Sequence, residues 1–151
     1  MLETVSDPDE TMVEIGRGIE LSQAGERAAA RQVFADLWTR TGPHGDPLHR
    51  CALAHSMADV QDDPGDELVW DLRALEAADL VTDERASQDV RGFYPSLHLN
   101  LGDVYRRLGD LELARAHLRL GQAALGALDD DSYAQMVKGG LDRLADRLSE
   151  T

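Results

Sequence analysis

Apolar residues recur at three- and four-residue intervals along nearly the whole chain, the spacing of helices that bury one face. A first helix is predicted over residues 10–23, with Met12, Ile15, Ile19 and Leu21 inward, and a second over 26–39, with Ala30, Val33, Phe34, Leu37 and Trp38. The third, over 48–60, carries Leu53, Ala54, Met57 and Val60. The fourth runs to about Leu80 with Leu68, Val69, Leu72, Leu75 and Ala78 as its apolar face. Fifth and sixth helices follow over about 95–108 and 110–125, and a last one begins after Asp129-Asp130-Asp131 with Leu141, Leu144 and Leu148 as its stripe. No stretch alternates in the manner of a strand, so the fold class is all-α.

The punctuation agrees with these spans. Gly25 and the run Gly42-Pro43-His44-Gly45-Asp46-Pro47 mark breaks. Asp63 is placed to cap the fourth helix, Pro64 suits its first position, and Asp66-Glu67 load its first turn with negative charge. Ser132 and Gln135 have the spacing of a capping box for the last helix. Two interior glycines there, Gly139-Gly140, cost roughly 2 kcal/mol of helix propensity, which a close approach to the preceding helix would offset. Residues 81–94 read either as a short helix opening at Thr82-Asp83-Glu84 or as an ordered loop, interrupted by Gly92 and Pro95; residues 1–9 read as a loose terminus.

The two ends of the helical region align with each other without a gap. Gly18, Leu21, Gly25, Ala30, Arg31 and Phe34 fall opposite Gly102, Tyr105, Gly109, Ala114, Arg115 and Leu118. A middle unit fits less closely, with Ala54 at the small position, Met57 at the large one and a turn lengthened by Asp62-Asp63-Pro64-Gly65. Residues 99–121, with Leu101, Gly102, Tyr105, Gly109, Ala114 and Leu118 at signature spacing, closely resemble one tetratricopeptide repeat, a helix-turn-helix unit of about 34 residues. The chain departs from that pattern at His98, where a Trp is common, and at Gly126, where a Pro is common.

The resemblance implies antiparallel helical hairpins stacked as a short right-handed solenoid. Units would cover about 11–41, 47–81 and 95–128, in a single domain over 10–150, closed by a polar-backed capping helix at about 131–149. The same periodicity also fits an unrelated bundle of six or seven helices. The resemblance further implies a non-catalytic protein- or peptide-binding module, an adaptor, chaperone-like holder or regulatory subunit, using a concave groove lined by the first helix of each unit. Carried over by position, the third unit presents Ser96, Leu99, Asn100, Asp103, Arg106 and Arg107 to that groove. The middle unit presents Leu48, Cys51, His55, Ala58 and Asp59, and the first Met12, Ile15, Ile19 and Ser22. Asn100 and Arg106 distantly resemble the clamp by which some relatives hold a peptide carboxylate, but His55, Asp59 and apolar side chains stand where that clamp needs Lys and Asn. A helix or a short mixed peptide suits the groove better.

Charge narrows the partner. Twenty-nine acidic against fifteen basic residues leave a net charge of −14, which repels nucleic acid and anionic membranes and steers in basic partners. The same acidity also serves solubility. Cys51 is the single cysteine, so no internal disulfide forms, and its apolar surroundings suit a small buried hydrophobe. The acidic first residues lack the features of a signal peptide and no run reaches the length of a membrane span, which points to the cytoplasm. Self-association through apolar surface stays open as a third reading.

One rival reading has chemistry. His55 and Asp59 lie four residues apart on one helix face, and Glu67 or Asp71 from the next helix would complete a metal-binding or metal-dependent catalytic site. No His-Glu-x-x-His or Cys-x-x-Cys run accompanies them, so a packing His–Asp hydrogen bond is favoured and no cofactor is expected. Trp70 reads either as filler between units or as an exposed anchor. Asp62-Asp63 and Asp129 to Asp131 lack calcium-loop spacing, and no nucleophile elbow, phosphate loop or dinucleotide motif occurs.

Overall fold

The computed structural model describes residues 8–82 and 89–150, and among them every regular element is helical. In chain order these are α1 (Pro8–Gln23), α2 (Arg27–Thr41), α3 (Pro47–Asp59), α4 (Pro64–Asp79), α5 (Tyr94–Leu108), α6 (Leu111–Ala124) and α7 (Ser132–Ser149), with a 3-10 turn at Leu125–Ala127 after α6. Three consecutive pairs, α1–α2, α3–α4 and α5–α6, make the most extensive contacts; α2 then meets α3, α4 meets α5, and α7 lies on both α5 and α6. The apolar core accordingly runs as successive clusters. One joins Ile15, Phe34, Leu37, Leu53 and Val60, the next Cys51, Ala54, Ala74, Ala77, Val90 and Leu97, and the last Ala114, Leu144 and Leu148.

The aligned ends of the sequence build the same turn twice. Gly25 and Gly109 take φ of 86° and 88°, a left-handed conformation open to glycine at little cost. In the first turn Glu26 N–H donates to the Leu21 carbonyl at 2.9 Å and Gly25 N–H to Ser22 at 3.0 Å. In the second, Asp110 donates to Tyr105 at 2.9 Å and Gly109 to Arg106 at 3.0 Å. Both are Schellman closures that satisfy the last carbonyls of the first helix. Ahead of each turn, a Cβ on Gly18 would collide with the Phe34 ring, and one on Gly102 would lie 2.7 Å from Leu144 Cδ2 and 3.3 Å from the Ala114 carbonyl. The glycines set how closely the paired helices pack.

Several expectations are corrected. Helix α1 begins at Pro8 rather than after a loose segment reaching residue 9, and residues 1–7 lie outside those described. Helix α3 takes in Pro47, because Asp46 caps it by accepting from Leu48 N–H at 2.8 Å. On α4 the buried residues are Asp71, Ala74, Ala77 and Ala78, whereas Val69 and Leu72, expected inward, are exposed. The face chosen is the one whose small side chains let α4 lie close on the equally small Cys51 and Ala54 of α3. Asp131, not Ser132, caps α7 by accepting from Ala134 N–H at 2.9 Å, while Gln135 donates to Asp130. Gly140 does permit a close approach, but to Leu99 of α5 at 2.6 Å from a built Cβ; the contact of α6 with α7 uses Gly121 against Leu141. Within the ambiguous 81–94 segment, residues 89–91 are helical with Val90 buried, and 83–88 lie outside the described residues.

Other expectations hold. Asp63 caps α4 through Asp66 N–H at 3.2 Å, and Leu141, Leu144 and Leu148 are the buried stripe of α7. Cys51 is fully buried, and burial raises its thiol to about 12. Trp70 packs edge-on to Trp38 with ring centroids 5.1 Å apart, and Arg73 and Arg50 lie over the two indoles.

Glycine substitution tests this packing. Gly102→Ala is expected to destabilise the protein by about 1–2 kcal/mol through overpacking. Gly16→Ala, where a built Cβ meets nothing within 4 Å, is expected to stabilise it by roughly 0.5–1 kcal/mol through helix propensity. Urea denaturation of the two variants reads both signs.

Candidate functional site

Helices α3, α4 and α5 enclose a cluster of ionisable groups at the centre of the chain. Each second helix of a pair can be counted from its N-cap residue, which is Glu26 for α2, Asp63 for α4 and Asp110 for α6. Four residues on, each makes the first intrahelical bond back to that residue, from Ala30, Glu67 and Ala114. Eight residues on stand Phe34, Asp71 and Leu118. The middle pair thus carries two carboxylates at positions where the outer pairs carry alanine and a large apolar side chain.

Asp71 is 1% exposed, and neither of its carboxyl oxygens has a hydrogen-bond partner among the described residues. An ionised carboxylate so placed is unfavourable, and burial, reinforced by Glu67, Asp59 and Asp103 and opposed by Arg107, raises the Asp71 carboxyl to about 8. At neutral pH it is held mainly as the acid. Glu67 is drawn to α5 by Arg107 at 2.6 Å, and the same guanidinium reaches Asp103 at 3.0 Å. Asp103 also pairs with Arg106 at 3.0 Å and stands 3.8 Å from Arg147 of α7.

His55 faces this cluster from α3. Its Nδ1 lies 3.4 Å from Asn100 Nδ2, and its ring meets Phe93 edge-on at 6.0 Å. Burial lowers its pKa against the opposing pull of Asp59. Asp59 keeps a solvent edge, and desolvation of its carboxyl raises it, with His55 and Arg27 opposing and Glu67 adding. The backbone carbonyl of Asp59 accepts from Arg27 at 3.2 Å, and the same side chain donates to Gln61 and pairs with Asp62, which fastens the start of α2 to the end of α3.

Of the residues assigned to the groove, His55, Asp59, Asn100, Asp103, Arg106 and Arg107 come together here. Ser96 does not. It is buried and its hydroxyl meets that of Tyr133 on α7. Ile15, Cys51 and Ala58 are likewise core, whereas Met12 and Ile19, expected inward by the apolar pattern of α1, are exposed. A groove of about 230 Å³ opens between α5 and α7, with Leu99, Gly140 and Leu144 as its apolar floor and Asn100, Asp103, Arg143 and Arg147 along its edges. Arg143 forms no ion pair among the described residues.

The metal reading finds no geometric support: among the described residues no group of three or more His, Cys, Asp or Glu is placed to hold a metal ion. A second polar feature escaped sequence reasoning altogether. His98 of α5 and His117 of α6 share a hydrogen bond between their Nδ1 atoms at 3.0 Å, flanked by Tyr94 and Tyr105 in a stacked column. One ring nitrogen must donate and the other accept, so the accepting imidazole is neutral. Burial, with His117 adding, lowers His98 to about 4. Nothing in the spacing of these histidines along the chain announces the contact. Asp71, by contrast, is legible once the second helices are aligned on their caps.

No family model matches the sequence, no curated protein is similar to it, and no solved structure matches the fold. No described helix is long and apolar enough to cross a membrane.

The buried acid has a testable pH signature. Its folded-state pKa lies above the unfolded value, so its contribution favours folding at low pH and is lost as pH rises toward about 8. Between roughly pH 4 and 8 the wild type is expected to lose about 1.4 kcal/mol per pH unit relative to Asp71→Asn. Urea denaturation of both proteins across that range measures the difference; parallel curves would remove the acid from the core.

Proposed function

We propose that the protein is a non-catalytic protein- or peptide-binding module whose hairpins stack as a short tetratricopeptide-like solenoid closed by α7. The hairpin turn built identically at Gly25 and Gly109 supports the repeat architecture, together with the buried small residues Ala30 and Ala114 behind it. The observation that carries the binding role is the groove between α5 and α7. Its apolar floor at Leu99, Gly140 and Leu144 is bordered by Asn100, Asp103, Arg143 and Arg147. An apolar strip edged by hydrogen-bonding and charged groups suits one face of a helix or a short peptide.

Met12 and Ile19 of α1 add exposed apolar surface. The overall net charge of −14 favours an approaching partner of opposite sign.

Affinity capture from the source organism, followed by alanine replacement, tests the reading. Asn100→Ala and Arg143→Ala are expected to weaken capture of the recovered partner about tenfold each, the loss of one or two hydrogen bonds, with unchanged helical circular dichroism. Undiminished capture by the double variant would show that the groove is not the binding surface.

A further inference from the structure

The cluster at the middle hairpin leaves two of its carboxyl groups without an ion-pair partner among the described residues. Asp71 feels the charges of Glu67, Asp59 and Asp103, and Asp59 feels that of Glu67; among the described residues Arg107 is the cation that acts on Asp71 and Arg27 the one that acts on Asp59. Arg107 is itself shared between Glu67 and Asp103. Arg106 is held by Asp103, and Arg27 on the far side reaches the Asp59 main chain and Asp62 rather than the Asp59 carboxylate. His55, the remaining ionisable group facing the cluster from α3, is kept neutral by burial and offers no compensating charge. The Asp59 carboxylate forms no ion pair among the described residues, and Asp71 receives no donor from them at either oxygen.

The substitution pattern makes this arrangement specific to the middle pair. A hairpin that needed only to pack would place an alanine and a large apolar group where Glu67 and Asp71 stand, as the outer pairs do at Ala30 and Phe34 and at Ala114 and Leu118. Leaving the Asp71 carboxyl unpaired in such a position costs stability, so it stands there against the packing interest of the fold. The cluster meets solvent at Asp59, which is exposed, and at the Arg107 side chain, 33% exposed, whereas Asp71 itself is buried.

We propose that the notch between Asp59, Glu67 and Asp71 receives the ammonium or guanidinium group of a lysine or arginine side chain from a protein partner. This deepens the groove reading above and rests on it for the nature of the partner. The incoming N–H donors satisfy the Asp71 oxygens and pair with Glu67 or Asp59, while Arg107 keeps its bond to Asp103. Because Asp71 is held as the acid in the free protein, it gives up its proton to solvent as the cation enters, and binding strengthens as pH rises toward 8.

Ethylammonium chloride serves as the probe, with tetramethylammonium chloride, which has no N–H donor, as the control at equal ionic strength. The titration of the Asp71 carboxyl carbon is followed by 13C NMR in the full chain, its resonance assigned by loss in Asp71→Asn. The Asp71 midpoint is expected to fall by about 0.5 pH units more in ethylammonium than in tetramethylammonium, a roughly threefold preference for the ionised form. Arg107→Gln, which removes the resident cation, is expected to widen that separation. Coincident midpoints in both salts, for the wild type and Arg107→Gln alike, overturn the proposal. If Asn100→Ala abolishes partner capture while the midpoints coincide, the groove stands and the notch falls. Separated midpoints, with capture indifferent to Asn100 and Arg143, support the notch and remove the groove.

Discussion

Close approach between helices is the constraint on which this structure depends. It is set by small residues at a few fixed places: Gly18 beneath Phe34, Gly102 beneath Leu144, Gly121 against Leu141 and Gly140 against Leu99. Each lets a neighbour's side chain occupy the space where a Cβ would stand, which brings backbones near enough for the thin core of each pair to close. The left-handed glycines at Gly25 and Gly109 serve the same end, since they return the chain immediately so that the paired helices lie side by side. With aromatics at only 5% of the chain, bulk cannot fill the gaps between more widely spaced helices, and proximity has to replace it.

The middle pair reaches proximity differently and carries a different interior. Cys51 and Ala54 meet Ala74, Ala77 and Ala78, and Asp71 is buried on α4 with these alanines. The neighbouring Glu67 is answered from α5 by Arg107, and α5 thereby becomes the element where structural and functional demands meet. Its buried side carries Leu97, Leu101 and Val104, its ring column ties it to α6 through His98, and its open side carries Asn100, Asp103, Arg106 and Arg107. The acid at Asp71 and the histidine pair respond to pH in opposite senses. Protonation relieves the first, whereas for His98, lowered to about 4, stability present above the unfolded value of 6.5 is lost as pH falls through that range.

Much of the candidate site was legible in the chain, though not its meaning. His55 and Asp59 announced a shared face by their four-residue spacing, and Asn100, Asp103 and Arg106 by their place in the repeat pattern; the structure gathers them around one cluster. Ser96 shared the pattern but is buried against Tyr133, because a helix that follows the repeat covers that end of α5. The inward face of α4 departs from its apolar periodicity for a related reason. Hydrophobic periodicity favours the stripe with the most leucine, whereas packing against α3 selects the stripe with the smallest side chains, even with an aspartate in it.

The sequence alone determined the helical class, the helix spans to within a few residues, and the identity of the twice-built turn, since glycine spacing, caps and apolar period are local properties that each segment carries with it. Tertiary structure decided which face of α4 is inside, which helix Gly140 approaches, that Asp71 is buried without a partner among the described residues, and that His98 and His117 share a hydrogen bond. Those outcomes depend on distances between segments far apart in the chain. They are fixed by the fit of one surface on another, and no local pattern of residues encodes that fit.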